Sequence, residues 1–185
     1  MEVIKIAFFV LGVFFGENSR IGAEKTTVTI NPKEQTITIV QENIFALIAN
    51  EADTMQVSSE LKKVVARNWR KEIESYPSKS CTLYVSDKGS LNAKITLKYP
   101  SENVLRDFAL DFNKETKEFS LINIPDWNVE TEDGAFKENY WRFSADNSFT
   151  FVVTPFKNMP ERFKSVKRNL LPIWEAENLK IKQDE

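Results

Sequence analysis

Residues 26–30 and 35–40 read TTVTI and QTITIV, and NPKE (31–34) stands between them. Threonine alternates with valine or isoleucine in both segments, which is the period-two pattern of a half-buried strand. Asn-Pro is typical of a turn. The stretch therefore predicts a β-hairpin with one threonine face and one apolar face. The next residues, QENIFALIAN (41–50), are compatible with either a continued strand or a helical turn.

More strand patterns follow from residue 81 onward. TLYV (82–85) precedes LNAKITLK (91–98), where apolar and polar residues alternate cleanly, as on a strand with one buried face. Aromatic residues then mark strands near 108–112, 119–124, 141–143 and 149–153. Short polar loops join these segments, which favours antiparallel pairing. We predict a meander of about six strands that ends in a hairpin of 141–143 with 149–153.

Two helices interrupt or follow the strands. Asp53 and Gln56 have capping-box spacing and predict the start of a central helix that ends before Pro77. Its apolar face is expected to carry Leu61, Val64, Val65, Trp69 and Ile73. Asn158 and Glu161 predict a C-terminal helix that Pro172 breaks, followed by a polar tail over 177–185.

Length and composition are those of one globular domain. The chain has 185 residues, of which 42% are hydrophobic and 28% charged. Strands grouped apart from helices indicate the α+β class, namely an antiparallel sheet with a central and a C-terminal helix packed on one face. The formal charge is −2, and basic residues are mixed with acidic ones. We therefore expect no nucleic-acid partner.

The residue inventory excludes several kinds of chemistry. Histidine is absent, so the chain alone cannot form a Ser-His-Asp triad, a Cys-His pair or a histidine zinc site. Cys81 is the single cysteine, which precludes an intrachain disulfide. Asp126, Asn128 and Glu130 have calcium-loop spacing, but Thr131 and Lys137 occupy the positions that require Gly and Glu. We expect no catalytic residues, no metal and no cofactor.

The first residues determine the expected compartment. IAFFVLGVFF (6–15) is wholly apolar, but Glu17 and Arg20 end the run far short of the about 20 residues that a membrane span needs. Lys5, this apolar stretch and Ala23 fit a secretory signal cleaved after residue 23. We predict a signal over 1–23 and a globular domain over 24–185, exported to the periplasm or secreted. The alternative is a buried first element of the fold in a cytoplasmic protein.

The longest predicted loop, PDWNVETEDGAFKENY (125–140), combines acidic and aromatic residues. Loops of this length are often functional. Its candidate binding residues are Asp126, Trp127, Glu130, Phe136 and Tyr140. The competing interpretation is a solvated crossover whose aromatic residues cover a sheet edge.

Three functions remain open on these grounds. The first is a small exported, non-enzymatic binding or structural module that recognises a protein or small ligand through a surface loop or cleft. The second is a carrier of a small apolar ligand in a pocket lined by Phe108, Phe112, Phe149 and Phe151. The third is a carboxylate-dependent hydrolase, although with 27 acidic residues no carboxylate pair is informative without its geometry.

Overall fold

The hairpin predicted around NPKE is the centre of the fold. The computed structural model describes residues 13–15 and 19–183. β1 (Ile21–Asn31) pairs antiparallel with β2 (Thr36–Leu47) through a four-residue turn. Both strands are longer than the threonine pattern indicated. β1 already starts at Ile21, and β2 continues to Leu47, through most of the ambiguous segment 41–50.

The strands form two antiparallel sheets. The remaining strands are β3 (Ser78–Val85), β4 (Leu91–Lys98), β5 (Leu110–Asn113), β6 (Glu118–Ile122), β7 (Ala135–Lys137), β8 (Tyr140–Ser144), β9 (Phe149–Val153) and β10 (Lys167–Asn169). Sheet I has the order β3-β4-β2-β1-β9, and β10 lies beside the end of β2. Sheet II has the order β5-β6-β8-β7. The α+β class with antiparallel sheets is confirmed.

Register explains the two faces of sheet I. One row across all five strands consists of apolar residues and is buried: Phe151, Val28, Ile39, Ile95 and Cys81. The neighbouring row consists of hydroxyl residues and is half-buried or exposed: Thr150, Thr29, Thr38, Thr96 and Ser80. Successive strand residues point to opposite faces, so the threonine and apolar faces predicted for the hairpin are confirmed and extend across the sheet.

The central helix is shorter than predicted. α1 (Glu51–Val65) is capped by Asn50, whose side chain accepts a hydrogen bond from the Asp53 backbone N–H, so Asp53 is not the cap. The chain leaves the helix at Ala66, and Arg67 adopts a left-handed conformation with φ of 55°. Trp69 therefore lies outside the helix, and Ile73 lies in the separate one-turn α2 (Lys71–Glu74).

The C-terminal prediction was wrong in its boundaries. The region predicted as one helix holds a single turn, α3 (Glu161–Lys164), followed by β10. The main helix, α4 (Leu171–Gln183), begins where Pro172 was expected to end one. Proline fits the first turn of a helix as well as it ends one, because the first N–H groups have no partner within the helix. α4 contacts α1, and residues 177–183 of the predicted polar tail belong to this helix.

Two strand assignments also need correction. β8 and β9 do not form the predicted last hairpin, since β8 pairs with β6 and β7 in sheet II whereas β9 pairs with β1 in sheet I. Phe108 lies in a 3₁₀ helix, Glu102–Phe108, rather than in a strand. The two sheets nevertheless share one core, because Phe143 of β8 stacks on Phe149 of β9 with ring centroids 4.4 Å apart.

The predicted signal overlaps this core. Residues 1–12 and 16–18 lie outside the described residues. Val13, Phe14 and Phe15 are buried, and Phe14 stacks on Trp69 with ring centroids 4.5 Å apart. Ile21 and Ala23 are buried in β1. The division of the chain at residue 23 stays a prediction.

Candidate functional site

The segment 125–140 is not an open loop. It holds the 3₁₀ turn Pro125–Trp127, a bridge between Glu130 and Val152, and the strand β7. These elements interrupt the loop at residues 125–127, 130 and 135–137, so the segment is more structured than its composition indicated. Its role in recognition stays a prediction.

Two of the five candidate residues, Trp127 and Glu130, contact the edge strand β9 or the residue that follows it. Trp127 is only 8% exposed and packs in the core, and its carbonyl accepts a hydrogen bond from the Thr154 N–H. The Glu130 N–H donates a hydrogen bond to the Val152 carbonyl at 2.9 Å, and the Glu130 carbonyl accepts one from the Val152 N–H at 2.8 Å. The Glu130 carboxylate lies 4.0 Å from the Lys157 ammonium. Trp127 and Glu130 thus match the interpretation as an edge cover, whereas Asp126, between Pro125 and Trp127 in the turn, is exposed.

Phe136 and Tyr140 lie in sheet II but on opposite faces. Phe136 is 52% exposed and packs against Trp141, with ring centroids 5.1 Å apart. Tyr140 precedes Trp141 in β8 and so points to the other face. The five candidate residues therefore do not form one site.

Tyr140 lies beside a depression of about 470 Å³ on the outer face of sheet II. Ile122 stands opposite Tyr140 in the register of β6 and β8, and both side chains are exposed. Arg106, Ala109, Asp111 and Ser120 complete the lining. We call this surface the Tyr140 face. Its size is in the range of small-molecule and peptide pockets.

The polar groups of the Tyr140 face have capacity for a ligand. The Arg106 Nε lies 2.7 Å from the Asp111 Oδ1, but both side chains are largely exposed, so this ion pair contributes at most about 1 kcal/mol. Arg142 stands next to Ser120 in register and lies 3.5 Å from the Glu138 carboxylate. The hydroxyls of Ser120 and Tyr140 make no hydrogen bond to any other residue in the described part of the chain.

A second depression lies where sheet I divides. β4 pairs with β2 as far as Leu91 and Ile44, and β10 pairs with β2 from Phe45 onward. The residues that line this depression are Glu24, Asn43, Ile44, Phe45, Ser90, Lys167 and Asn169. We call this depression the polar cleft. Its members come from four distant parts of the chain, so spacing could not reveal it. The visible signal was the polar run Gln41–Asn43, which interrupts the alternation of β2.

The phenylalanine residues proposed to line a carrier pocket are packed instead. Phe149 contacts Phe119 and Phe143, and Phe112 packs on Phe119 with ring centroids 4.8 Å apart. An apolar gap between α1 and the strands, lined by Phe15, Ile21 and Leu61 among others, has a volume of about 10 Å³. A gap of this size barely reaches the volume that one water molecule needs. These contacts give the carrier alternative no support.

The described carboxylates also give little support for a hydrolase. Burial raises the pKa of the Glu60 carboxyl, but Ser19, Gln56 and the Arg20 backbone already donate hydrogen bonds to it. Burial likewise raises the pKa of the Cys81 thiol, which opposes thiolate chemistry. Within residues 13–15 and 19–183, no group of three or more His, Cys, Asp or Glu side chains could hold a metal ion.

No helix in the described part of the chain is both long and apolar enough to cross a membrane. Comparison with known proteins adds no further constraint. No protein-family model, no curated protein and no solved structure matches this chain.

Proposed function

We propose that this chain is a non-enzymatic binding module that recognises a protein partner through the Tyr140 face. The observation that carries the proposal is the pair Ile122 and Tyr140, two large exposed side chains that stand side by side over a depression with polar walls. Tyrosine and arginine are enriched at protein interfaces, and an apolar centre with a polar rim is the usual arrangement there.

The geometry favours a protein segment over a small apolar ligand. The depression is open on the outer face of a sheet. Its walls carry the exposed ion pair of Arg106 and Asp111 and the hydroxyl of Ser120. A polypeptide offers both the apolar side chains that would cover Tyr140 and the backbone groups that would pair with these polar atoms. Export of the protein stays a separate prediction that this surface does not depend on.

The test compares an exposed apolar residue inside the face with one outside it. A partner is first captured on the tagged full chain from its native host, and its affinity is then measured by calorimetry for wild type, Ile122→Asp and Met55→Asp. Met55 is 69% exposed on α1 and is not part of the face. We expect Ile122→Asp to weaken binding at least tenfold and Met55→Asp to leave it unchanged.

Two results would contradict the proposal. One is an Ile122→Asp variant that keeps its melting temperature and binds the partner as tightly as wild type. The other is an equal loss of affinity in Met55→Asp, because that loss would not belong to the Tyr140 face.

A further inference from the structure

The polar cleft exists because β2 carries a bulge. Its register with β4 shifts between Gln41 and Ile44, and Asn43 adopts a left-handed backbone conformation with φ of 55°. Bulges redirect side chains and are frequent next to functional sites. Here the bulge coincides with the division of the sheet, so β4 and β10 separate and leave the cleft between them.

The Asn43 side chain connects the two walls of the cleft. It donates a hydrogen bond to the Glu24 carboxylate at 3.0 Å and accepts one from the Ser90 hydroxyl at 2.7 Å. Its backbone N–H donates to the Asn92 side chain at 2.9 Å. A left-handed residue that is held by three hydrogen bonds is fixed in place, so the cleft is preorganised.

An ion pair closes the other side of the network. The Lys167 ammonium forms an ion pair with the Glu24 carboxylate and donates a hydrogen bond to it. It also lies 4.7 Å from the centroid of the buried Phe45 ring. Both side chains remain accessible, with 29% of Lys167 and 43% of Glu24 exposed. Glu24 and Lys167 are the charged residues of the lining, so the formal charge of the cleft is zero.

The pair has hydrogen-bonding capacity left for a ligand. An ammonium has three donors, and the bond to Glu24 uses one of them. A carboxylate has about four acceptor sites, and Lys167 and Asn43 use two. Donors and acceptors therefore lie side by side in a space of about 300 Å³.

We propose that the polar cleft binds a neutral, hydroxyl-rich small molecule, a monosaccharide or a polyol. A hydroxyl both donates and accepts hydrogen bonds. One hydroxyl can therefore donate to Glu24 while its neighbour accepts from Lys167, and the ion pair between the two residues stays intact. An anion on Lys167 would lie beside the Glu24 carboxylate, and a cation on Glu24 would lie beside the Lys167 ammonium, so a like charge opposes either ligand. The site is on sheet I and does not depend on the Tyr140 face.

The test uses the full chain labelled with ¹⁵N and follows its amide signals by NMR during titration. The probes are glucose, galactose and mannitol, with glucose 6-phosphate and glucosamine as charged comparators. We expect at least one neutral probe to shift the signals of Asn43, Ser90 and Asn169 saturably, and more strongly than either charged comparator.

Matched variants assign the binding to the cleft. Lys167→Met keeps the aliphatic stem but removes the ammonium, and Glu24→Gln keeps the shape of the carboxylate. Each should weaken the binding at least tenfold. Lys98→Met, which changes an exposed lysine of β4 outside the cleft, should leave it unchanged.

Three results would overturn the proposal: no saturable shift with any neutral probe, tighter binding of a charged comparator, or an equal loss in Lys98→Met. A folded Glu24→Gln variant that binds as tightly as wild type would also overturn it.

Discussion

At the scale of single residues, two buried carboxylates on α1 hold the chain where it enters β1. Glu60 accepts hydrogen bonds from the Ser19 hydroxyl at 3.0 Å and from the Arg20 N–H at 3.3 Å. Asp53 accepts from the Ala49 N–H at 2.9 Å and lies 2.9 Å from the Arg20 Nε. A buried carboxylate needs such partners, because an unpaired one is costly.

Glu60 should make stability depend on pH in an unusual direction. Burial raises the pKa of its carboxyl, so the folded protein binds the proton more tightly than the unfolded chain. The resulting stabilisation is complete below the unfolded pKa of about 4.3 and is lost as pH rises through the folded pKa. In urea unfolding, the stability of wild type relative to Glu60→Gln should therefore fall as pH is raised from about 4 to 7.

Glu72→Gln provides the control with the opposite sign. Its own backbone N–H and then Arg70 lower the pKa of the exposed Glu72 carboxyl. Wild type should therefore lose stability relative to Glu72→Gln as pH falls. A pH-independent difference between wild type and Glu60→Gln would show that the environment of Glu60 has been misjudged.

Gly134 is a second residue with a defined structural demand. A Cβ atom at this position would lie 2.6 Å from Cε1 of the buried Phe143 ring. We expect Gly134→Ala to lower the free energy of unfolding by about 1–3 kcal/mol, because Phe143 also stacks on Phe149 and has little room to move. In a Phe143→Leu background the same substitution should cost less. Equal costs in the two backgrounds, measured by chemical denaturation, would contradict this explanation.

At the scale of elements, local patterns predicted most strands but not their partners. The alternation in 91–98 gave β4 and its buried face correctly, because burial and sequence share the same period. The turn at 145–147 resembled a hairpin, yet β8 pairs with β6 and β7 whereas β9 pairs with the distant β1, so the two strands enter different sheets. The division of sheet I at Asn43 likewise depends on β10, more than 120 residues further along the chain.

The candidate site was predicted in part for similar reasons. Tyr140 lies at a depression, whereas Trp127 is buried. The role of both as binding residues stays a prediction. Composition marks aromatic residues but does not tell which face of a strand they occupy. Asp111 and Ser120 join Tyr140 only through the register of sheet II, and Arg106 reaches them from the 3₁₀ helix through its ion pair with Asp111.

The first half of β1 yields a prediction about the N-terminal segment. Cleavage after Ala23 would remove three buried residues of β1 and the Phe14–Trp69 stack. It would also remove Ser19 and Arg20, which are hydrogen-bond and ion-pair partners of Glu60 and Asp53. Loss of a single large buried side chain typically costs about 2–5 kcal/mol. A chain that starts at Glu24 should therefore unfold at a much lower urea concentration than the full chain, or not fold at all.

Circular dichroism during urea titration measures this difference. Equal midpoints for the two chains would show that the domain is complete from Glu24, as the predicted signal requires. A much lower midpoint would favour a mature protein that retains these residues.

At the scale of the whole molecule, one core supports two separate surfaces. Phenylalanines of sheet II pack against sheet I, and α1 and the start of α4 cover other apolar residues of this core. A smaller cluster of Phe45, Leu47, Phe156 and Met159 lies beside it. The Tyr140 face lies on the outside of sheet II, and the polar cleft lies where sheet I divides. Because each surface belongs to a different sheet, a substitution in one should not impair binding at the other.

The most direct measurement is site-specific photo-crosslinking in the native host. A photoreactive amino acid is placed at Ile122, in the Tyr140 face, or at Thr82, an exposed position of β3 on sheet I. The Tyr140 face predicts a discrete protein adduct from position 122 that disappears when Tyr140→Ala is added, and no such adduct from position 82. An absence of adducts at position 122, or the same adduct from both positions, would contradict the proposal.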